Sequence, residues 1–167
     1  HHLVYEVVNN SVDEAMAGFC DTVEATIHEG NYISVSDNGR GIPVDIHPQT
    51  KVSALETVMT TLHAGAKFGG KTYQVSGGLH GVGASVVNSL SSELRVEVRR
   101  EGRLHRQEFI RGIKQGPATD IGEADTNGTA IHFLPDTQIF GDTTPDFKIL
   151  ANRLREMAYL NKGLEIK

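Results

Sequence analysis

The N-terminal part of the chain contains two kinds of hydrophobic periodicity. From Leu3 to Met16, apolar residues recur every three or four positions and polar residues fall on the opposite side, which predicts an amphipathic helix. Thr22 to His28 and Tyr32 to Asp37 instead alternate apolar and polar residues, with Glu29-Gly30-Asn31 between them. This pattern is typical of a hairpin, so we expect a helix followed by two paired strands.

Helical spacing returns at three later places, and a glycine-rich segment separates the first two. We predict helices over Val52 to His63, from near Gly83 onward, and from a Thr144-Pro145-Asp146 cap to Leu160. The segment AGAKFGGKTYQVSGG carries five glycines and little periodicity. It predicts a mobile loop between the first two of these helices.

Strand patterns occupy most of the remaining chain. The predicted strands are Leu94 to Arg100, Leu104 to Ile110, Thr129 to Phe133 and a last one beginning at Leu164, whereas Gly112 to Asn127 is predicted to be loop-like. Because the strands come mostly as hairpins with helices between the pairs, the pattern favours an α+β fold over a doubly wound parallel one. We expect a layer of helices on a largely antiparallel sheet.

Composition narrows this picture to one soluble domain spanning residues 1–167. The chain has 167 residues, 38% of them hydrophobic, and no window reaches the apolar length of a membrane span. Its net charge of -5 gives no general attraction to nucleic acid. The single cysteine, Cys20, excludes an internal disulfide and a cysteine-based zinc site and suits a reducing cytosol. A small buried apolar side chain is the favoured interpretation of it. The start HHLVYEVV, without methionine, suggests a piece of a longer protein, in which His1 and His2 are native or tag remnants.

Three polar residues fall at the ends of strand faces that otherwise point into the core. Asp37 shares a face with Ile33 and Val35, and the same counting places Thr129 and Arg100 on inward faces of their strands. A buried carboxylate is costly unless it is hydrogen-bonded. The three groups together suggest a pocket between the sheet and the helices, while the alternative for each alone is that burial simply stops at a strand end.

Two glycine-rich strings could contact a ligand. VSDNGRGIP, Val35 to Pro43, would let a flat ligand lie close to the backbone, but it could also be a turn without any ligand. SGGLHGVG, Ser76 to Gly83, precedes a predicted helix, where backbone amides can surround phosphate oxygens. Neither the Walker A pattern nor the dinucleotide fingerprint fits this second string.

The polar face of the first helix could carry chemistry as well. Glu6 and Asn10 are neighbours four residues apart, and His2 lies one turn before them. A carboxylate there could activate a water, and an amide oxygen could complete a Mg²⁺ shell of water and phosphate oxygens. A merely solvated face is the alternative, which the poor helix formers Asn9-Asn10-Ser11 in mid-helix make less attractive.

These motifs, in this order, resemble the GHKL ATPase superfamily, and within it the ATPase domains of the B subunits of bacterial type II topoisomerases. The resemblance covers essentially the whole chain and is carried by HHLVYEVVNNSVDEAMAG, VSDNGRGIPVDIH, TLHAGAKFGG, YQVSGGLHGVGASVVNSLS, the strand at Gly128-Thr129, and LREMAYLNKGLEI. Asn9 and Ala66 depart from the family pattern. The resemblance implies the GHKL (Bergerat) two-layer sandwich, with helices on a mixed, largely antiparallel sheet.

The resemblance also implies roles for individual residues. Glu6 would be the general base for the attacking water with His2 holding it, Asn10 would bind Mg²⁺, and Asp37 would accept the adenine amino group, helped through water by Thr129. The other nucleotide-binding residues would be Glu14, Arg40, Gly41, Ile42, Pro43, Lys67, Tyr73, Gly78, Leu79, His80, Gly81, Val82, Gly83 and Arg100. Within this set, Gly41 to Pro43 would wall the base, Arg40 and Arg100 would lie at the mouth, Lys67 and Tyr73 would belong to the lid, and Gly78 to Gly83 would cradle the phosphates.

The implied function is ATP binding and hydrolysis that closes a subunit gate and drives DNA strand passage and negative supercoiling. The B subunit of DNA gyrase is the first expectation; the corresponding subunit of topoisomerase IV is the alternative, and a histidine kinase or a chaperone-type ATPase is less favoured. Expected ligands and partners are ATP, Mg²⁺, aminocoumarin inhibitors, a second B subunit, the A subunit and double-stranded DNA, in the cytoplasm and away from membranes.

Parts that the family needs for efficient turnover are missing from these 167 residues. They are the transducer domain with its lysine and the N-terminal arm that reaches the partner subunit. The metal-binding DNA-cleavage region is expected to lie outside this piece as well. We therefore expect this piece to bind nucleotide, to hydrolyse ATP poorly and to stay largely monomeric.

Overall fold

A computed structural model of the chain describes residues 1–61 and 83–167. Along the chain the elements are α1 (His2–Met16), β1 (Thr22–Ile27), β2 (Ile33–Asp37), α2 (Ala54–Thr60), α3 (Gly83–Ser89), β3 (Ser91–Arg100), β4 (Arg103–Ile110), β5 (Ile113–Lys114), β6 (Thr119–Glu123), β7 (Gly128–Pro135), α4 (Thr137–Phe140), α5 (Phe147–Leu160) and β8 (Glu165–Ile166).

The described strands form one eight-stranded sheet in the order β5-β4-β3-β7-β2-β1-β8, with β6 also paired to β4. The hairpins predicted for β1 with β2 and for β3 with β4 are present and antiparallel. Strand β7 lies between β3 and β2, antiparallel to both, whereas β8 runs parallel to β1. The predicted mixed, largely antiparallel sheet is therefore confirmed.

Helices α1, α2, α3 and α5 share one hydrophobic core with the inward side chains of the sheet. Strand residues such as Val35, Val96 and Phe133 are almost completely buried in that core, together with Val8 of α1 and Leu55 of α2. The alternation read from the sequence thus corresponds to one buried face of the sheet. The result is a layer of helices on a layer of strands, as predicted.

Side-chain caps explain where two of the helices begin. Ser53 accepts a hydrogen bond from the backbone N–H of Glu56 at 3.0 Å, and Asp146 accepts one from that of Ile149 at 3.1 Å. Such caps satisfy backbone donors that have no partner within the helix. The cap predicted for α5 is confirmed, while α2 begins two residues later than predicted and is followed by an extended Thr61.

The prediction that Gly112 to Asn127 is loop-like was wrong. Two short strands, β5 and β6, lie in this stretch and both pair with β4. Strand β5 has only two residues, and the pairing of β6 shifts register between Leu104 and His105 of β4, so neither strand shows clear alternation. These two strands form because they pair with β4, and such long-range pairing cannot be predicted from the local sequence.

Within residues 1–61 and 83–167, no helix is both long enough and apolar enough to cross a membrane.

Candidate functional site

Asp37, Thr129 and Arg100 come together at one end of the sheet. The antiparallel registers pair Ser36 of β2 with Ala130 of β7 and Val98 of β3 with Thr129 of β7. The end of β2, the start of β7 and the end of β3 therefore meet at the same edge. The backbone N–H of Thr129 donates to Asp37 Oδ1 at 3.2 Å, so the polar groups that strand parity placed on inward faces meet at this edge, while the pocket itself stays a prediction.

The carboxylate of Asp37 is partly buried and well bonded. Oδ1 accepts hydrogen bonds from the backbone N–H groups of Gly39 at 3.0 Å and Thr129 at 3.2 Å, and Oδ2 accepts one from Ser11 Oγ at 2.6 Å. Burial raises the pKa of Asp37, while the bonds from Ser11, Gly39 and Thr129 lower it and the nearby Glu14 carboxylate raises it further. The net direction of the pKa is upward, because desolvation is the largest influence on it.

The loop after β2 is held against β3 and β7. Gly41 has φ +86°, and a Cβ there would lie 2.8 Å from the backbone oxygen of Arg99, so no other residue fits without strain. The buried Ile42 donates its backbone N–H to Thr129 Oγ1 at 3.2 Å. Gly41, Ile42 and Pro43 are all buried, and their role as a wall for a flat ligand stays a prediction.

Two successive arginines of β3 fasten this edge from opposite sides of the sheet. Arg100 Nη1 donates to the carbonyl oxygen of Gly41 at 2.8 Å, and Arg99 Nη2 donates to that of Asp37 at 3.0 Å. Arg100 therefore secures the loop, while its predicted position at a ligand's entrance stays a prediction.

Glu14 and Arg40 form an ion pair beside Asp37. Glu14, only 6% exposed, accepts from Arg40 Nη2 at 2.6 Å and from the backbone N–H of Arg40 at 2.8 Å. The Arg40 guanidinium also lies 3.9 Å from the ring centroid of Phe19. A planar guanidinium bonded along its edge and stacked on a ring is well fixed in orientation.

The first half of α1 meets the start of α3. Glu6 and Asn10 occupy successive turns of α1 and are half-buried. Gly83 is the first residue of α3, and a Cβ there would lie 2.6 Å from Glu6 Oε2, so a larger residue would have to displace this carboxylate. The ring of His2 lies edge-on to Tyr5, with centroids 6.1 Å apart, and no hydrogen bond between His2 and Glu6 occurs in the described structure.

The described residues contain no group of three His, Cys, Asp or Glu side chains that could hold a metal ion by itself. A cation at Asn10 would therefore need most of its ligands from elsewhere, as Mg²⁺ commonly does with water and phosphate oxygens. The predicted residues Lys67, Tyr73, Gly78, Leu79, His80, Gly81 and Val82 lie outside the described residues.

Three residues that contribute to this site were not predicted from the sequence: Ser11, Arg99 and Phe19. Ser11 shares the buried side of α1 with Val7 and Val8, so its helical spacing was a usable signal that it faces inward. Arg99 and Phe19 carried no comparable signal, because their contacts are set by the approach of β3 and of the α1 C-terminus to the loop after β2.

Comparison with known proteins agrees with this architecture. The chain matches, over residues 1–139, the family described as "Histidine kinase-, DNA gyrase B-, and HSP90-like ATPase". It is 60% identical over its whole length to the DNA gyrase B protein of Halalkalibacterium halodurans and 57% identical to that of Thermotoga maritima, and it covers 26% of each of these relatives. The chain thus spans about a quarter of the length of the curated relatives it matches.

A solved structure supports the fold directly. The chain superposes with a TM-score of 0.87 and 43% identity on the 43K ATPase domain of Thermus thermophilus gyrase B in complex with an aminocoumarin, covering 99% of this chain and 42% of that one. The predicted α+β two-layer fold is thereby confirmed. With a family match over most of its residues and this fold, the chain belongs to the family of histidine kinase-, DNA gyrase B- and HSP90-like ATPases.

Proposed function

We propose that the chain is the ATP-binding and ATP-hydrolysing domain of the B subunit of a type II DNA topoisomerase of the gyrase kind. In the whole enzyme, ATP would close a subunit gate and drive DNA strand passage and negative supercoiling. The observation that carries this proposal is the bonded, partly buried carboxylate of Asp37 beside a thin backbone wall. The high identity to gyrase B proteins favours gyrase over topoisomerase IV.

Base recognition follows from the chemistry of Asp37. An ionised carboxylate only accepts hydrogen bonds, so it suits the amino group of adenine. The wall of Gly41, Ile42 and Pro43 would lie along the ring, and the hydroxyl hydrogen of Thr129, whose oxygen already accepts from Ile42, could bond a water at the base. The aminocoumarin bound to the Thermus thermophilus domain supports the proposal that this pocket also takes competitive inhibitors near Arg40 and Arg100.

Hydrolysis would take place at the other end of α1. Glu6 would orient and deprotonate the attacking water, with His2 as the neighbour that holds it, and Asn10 would contribute an oxygen to Mg²⁺. The cation, when bound, supplies charge neutralisation at the phosphates. The close contact between Glu6 and Gly83 supports this arrangement, because it brings the carboxylate to the segment proposed to bind the phosphates.

The remaining partners are proposals from the family. They are a second B subunit, the A subunit and double-stranded DNA, in the cytoplasm. A net charge of -5 gives the chain no general attraction to DNA, so we place the DNA contacts on other parts of the enzyme. The piece itself would bind nucleotide as a monomer and turn it over slowly.

Substitution of Asp37 tests the base assignment. In the full-length subunit, Asp37→Asn should weaken ADP binding by roughly 100-fold in calorimetry, because an amide nitrogen replaces the acceptor oxygen and a buried polar mismatch results. The matched control is Asp125→Asn, an exposed aspartate outside the set of residues assigned to the site, which should bind ADP normally. Unchanged ADP affinity in a folded Asp37→Asn protein would contradict the proposal.

A supercoiling assay tests the enzyme class. The complete subunit with its A subunit should introduce negative supercoils in the presence of ATP. Decatenation without negative supercoiling would assign the chain to topoisomerase IV instead. If ATP produced no change in DNA topology, the histidine-kinase and chaperone alternatives would be favoured again.

A further inference from the structure

Ser11 occupies an unusual place for a serine in a helix. It lies in the middle of α1, is only 3% exposed and donates from Oγ to Asp37 Oδ2 at 2.6 Å. A serine within a helix commonly bonds the carbonyl four residues earlier. Here the hydroxyl instead crosses from the helix to the sheet and contacts the carboxylate that the proposed function assigns to base recognition.

Within residues 1–61 and 83–167, the hydrogen bonds to the Asp37 carboxylate leave one acceptor position. A carboxylate offers about four lone-pair positions. The N–H groups of Gly39 and Thr129 occupy those of Oδ1, and Ser11 occupies one on Oδ2. The free position is therefore on the oxygen that Ser11 holds, and Ser11 sets the direction in which that oxygen accepts a bond.

The protonation state of this carboxylate decides which base it can bind. In the ionised form it only accepts, so it pairs with a 6-amino purine and repels the oxygen of a 6-oxo purine. In the protonated form it could donate to that oxygen. A site that binds adenine but rejects hypoxanthine thus needs Asp37 to remain ionised in spite of its burial.

The surroundings of Asp37 oppose ionisation. Burial and the Glu14 carboxylate raise its pKa, and the thiol of Cys20, whose own pKa is raised to about 11 by burial and by Asp37, brings no positive charge. Of the nearby cations, Arg40 is paired to Glu14 and Arg99 bonds the backbone carbonyl of Asp37. Among the described residues, no cationic side chain donates to either carboxylate oxygen, which leaves Ser11 as the side-chain donor.

We propose that Ser11 is a specificity-determining positioning residue, whose hydroxyl keeps Asp37 in its acceptor-only form and thereby restricts the site to 6-amino purine nucleotides. This inference rests on the proposed function, because it presumes that Asp37 faces the base. It goes further by assigning the discrimination between two purine classes to a residue that need not touch the nucleotide.

The test compares ADP with IDP, which carries hypoxanthine, in calorimetry on the full-length subunit over a range from about pH 5.5 to about pH 8.5. In Ser11→Ala, ADP affinity at neutral pH should fall by about tenfold, the size expected for one lost bond to a charged group. The ratio of IDP to ADP affinity should rise on acidification and should begin to rise at a higher pH than in the unmodified protein. The sign follows because loss of the Ser11 bond favours the protonated carboxyl.

Further variants separate specificity from structure. Ser11→Thr keeps the hydroxyl and should restore the ADP preference, while Ser11→Cys keeps the volume but donates weakly and should give an intermediate ratio. Ser91→Ala removes another buried hydroxyl, one that donates to the carbonyl of Val87, and should leave the ratio unchanged.

One outcome would overturn the inference: an ADP-to-IDP affinity ratio in Ser11→Ala equal to that of the unmodified protein at every pH, whether or not the two affinities fall together. If Ser11→Ala does not fold, Ser11→Cys with an unaltered ratio has the same meaning. Failure of the unmodified protein to bind either nucleotide would instead refute the proposed function, so the two failures are distinguishable.

Discussion

The two ends of helix α1 differ in how completely their polar groups are bonded. Toward the C-terminus, Ser11 and Glu14 contact Asp37 and Arg40 through bonds of 2.6 Å. Toward the N-terminus, the side chains of Glu6 and Asn10 make no hydrogen bond within residues 1–61 and 83–167. We call the part of α1 with Ser11 and Glu14, whose side chains are already hydrogen-bonded, the base end. We call the part with Glu6 and Asn10 the phosphate end, after the roles proposed above.

This difference indicates which part of the proposed site is already held in place by the protein's own hydrogen bonds. At the base end, side chains and backbone groups already hold each other in the geometry that would receive a flat ring, so little reorganisation is needed. At the phosphate end, bonds that a reaction requires often form only when the ligand is in place. Substitutions at the two ends should therefore affect different measurements.

The largest effect is expected at the phosphate end. Glu6→Gln in the full-length subunit should reduce the rate of ATP hydrolysis by about 10²- to 10⁴-fold, because the amide cannot accept a proton from water. ADP affinity should change little, since Glu6 is not expected to contact the base. The matched control is Glu24→Gln, an exposed residue on β1, and normal hydrolysis by Glu6→Gln would remove the general-base role.

A smaller effect is expected from the wall of the base end. Gly41→Ala should lower the free energy of unfolding by about 1–3 kcal/mol in urea titrations and should weaken ADP binding, since the added Cβ meets the Arg99 carbonyl oxygen in a left-handed backbone. Gly102→Ala is the matched control, because φ there is +78° but nothing lies within 4 Å of a Cβ. Equal effects of the two substitutions would mean that backbone strain alone, and not close approach, restricts Gly41 to glycine.

The pH dependence of stability tests the electrostatics of the base end. Burial raises the folded-state pKa of Asp37 above its unfolded value, so the folded protein binds the proton more tightly. The contribution of Asp37 to the free energy of unfolding should be fully present at pH values below the ordinary pKa of an unfolded aspartate. It should be lost as the pH rises through the raised pKa of the folded state. Asp37→Asn should flatten this part of the profile in urea titrations without ligand, and parallel profiles of the two proteins would contradict the burial argument.

The smallest effect concerns the stacking of Arg40 on Phe19. Phe19 is 50% exposed, so loss of its ring in Phe19→Leu should cost about 0.5–1 kcal/mol of ligand binding, or roughly a two- to fivefold weaker affinity for an aminocoumarin. Phe19→Tyr keeps a ring beneath the guanidinium and should bind normally. If the leucine and tyrosine variants bind equally, the ring has no part in positioning Arg40.

The sequence was informative wherever a regular period was present. Strand alternation correctly placed Asp37, Thr129 and Arg100 on inward faces, and helical spacing predicted α1, α3 and α5. It failed where pairing partners decide the structure: β5 and β6 form because β4 is available, and their own residues show no pattern. It also left out Ser11, because hydrogen bonding between a helix and a distant strand end depends on how closely the two layers approach.

Arg99 and Arg100 have a consequence for the thermodynamics of binding. Because the two anchoring guanidinium groups come from adjacent residues of one strand, the carbonyls of Asp37 and Gly41 are both bonded to β3. If the proposed base site is correct, a ring placed there should order few additional groups, and most of the conformational entropy lost on nucleotide binding should be lost at the other end of α1. Adenosine alone should therefore bind with a small entropic penalty, and the penalty should grow as phosphates are added.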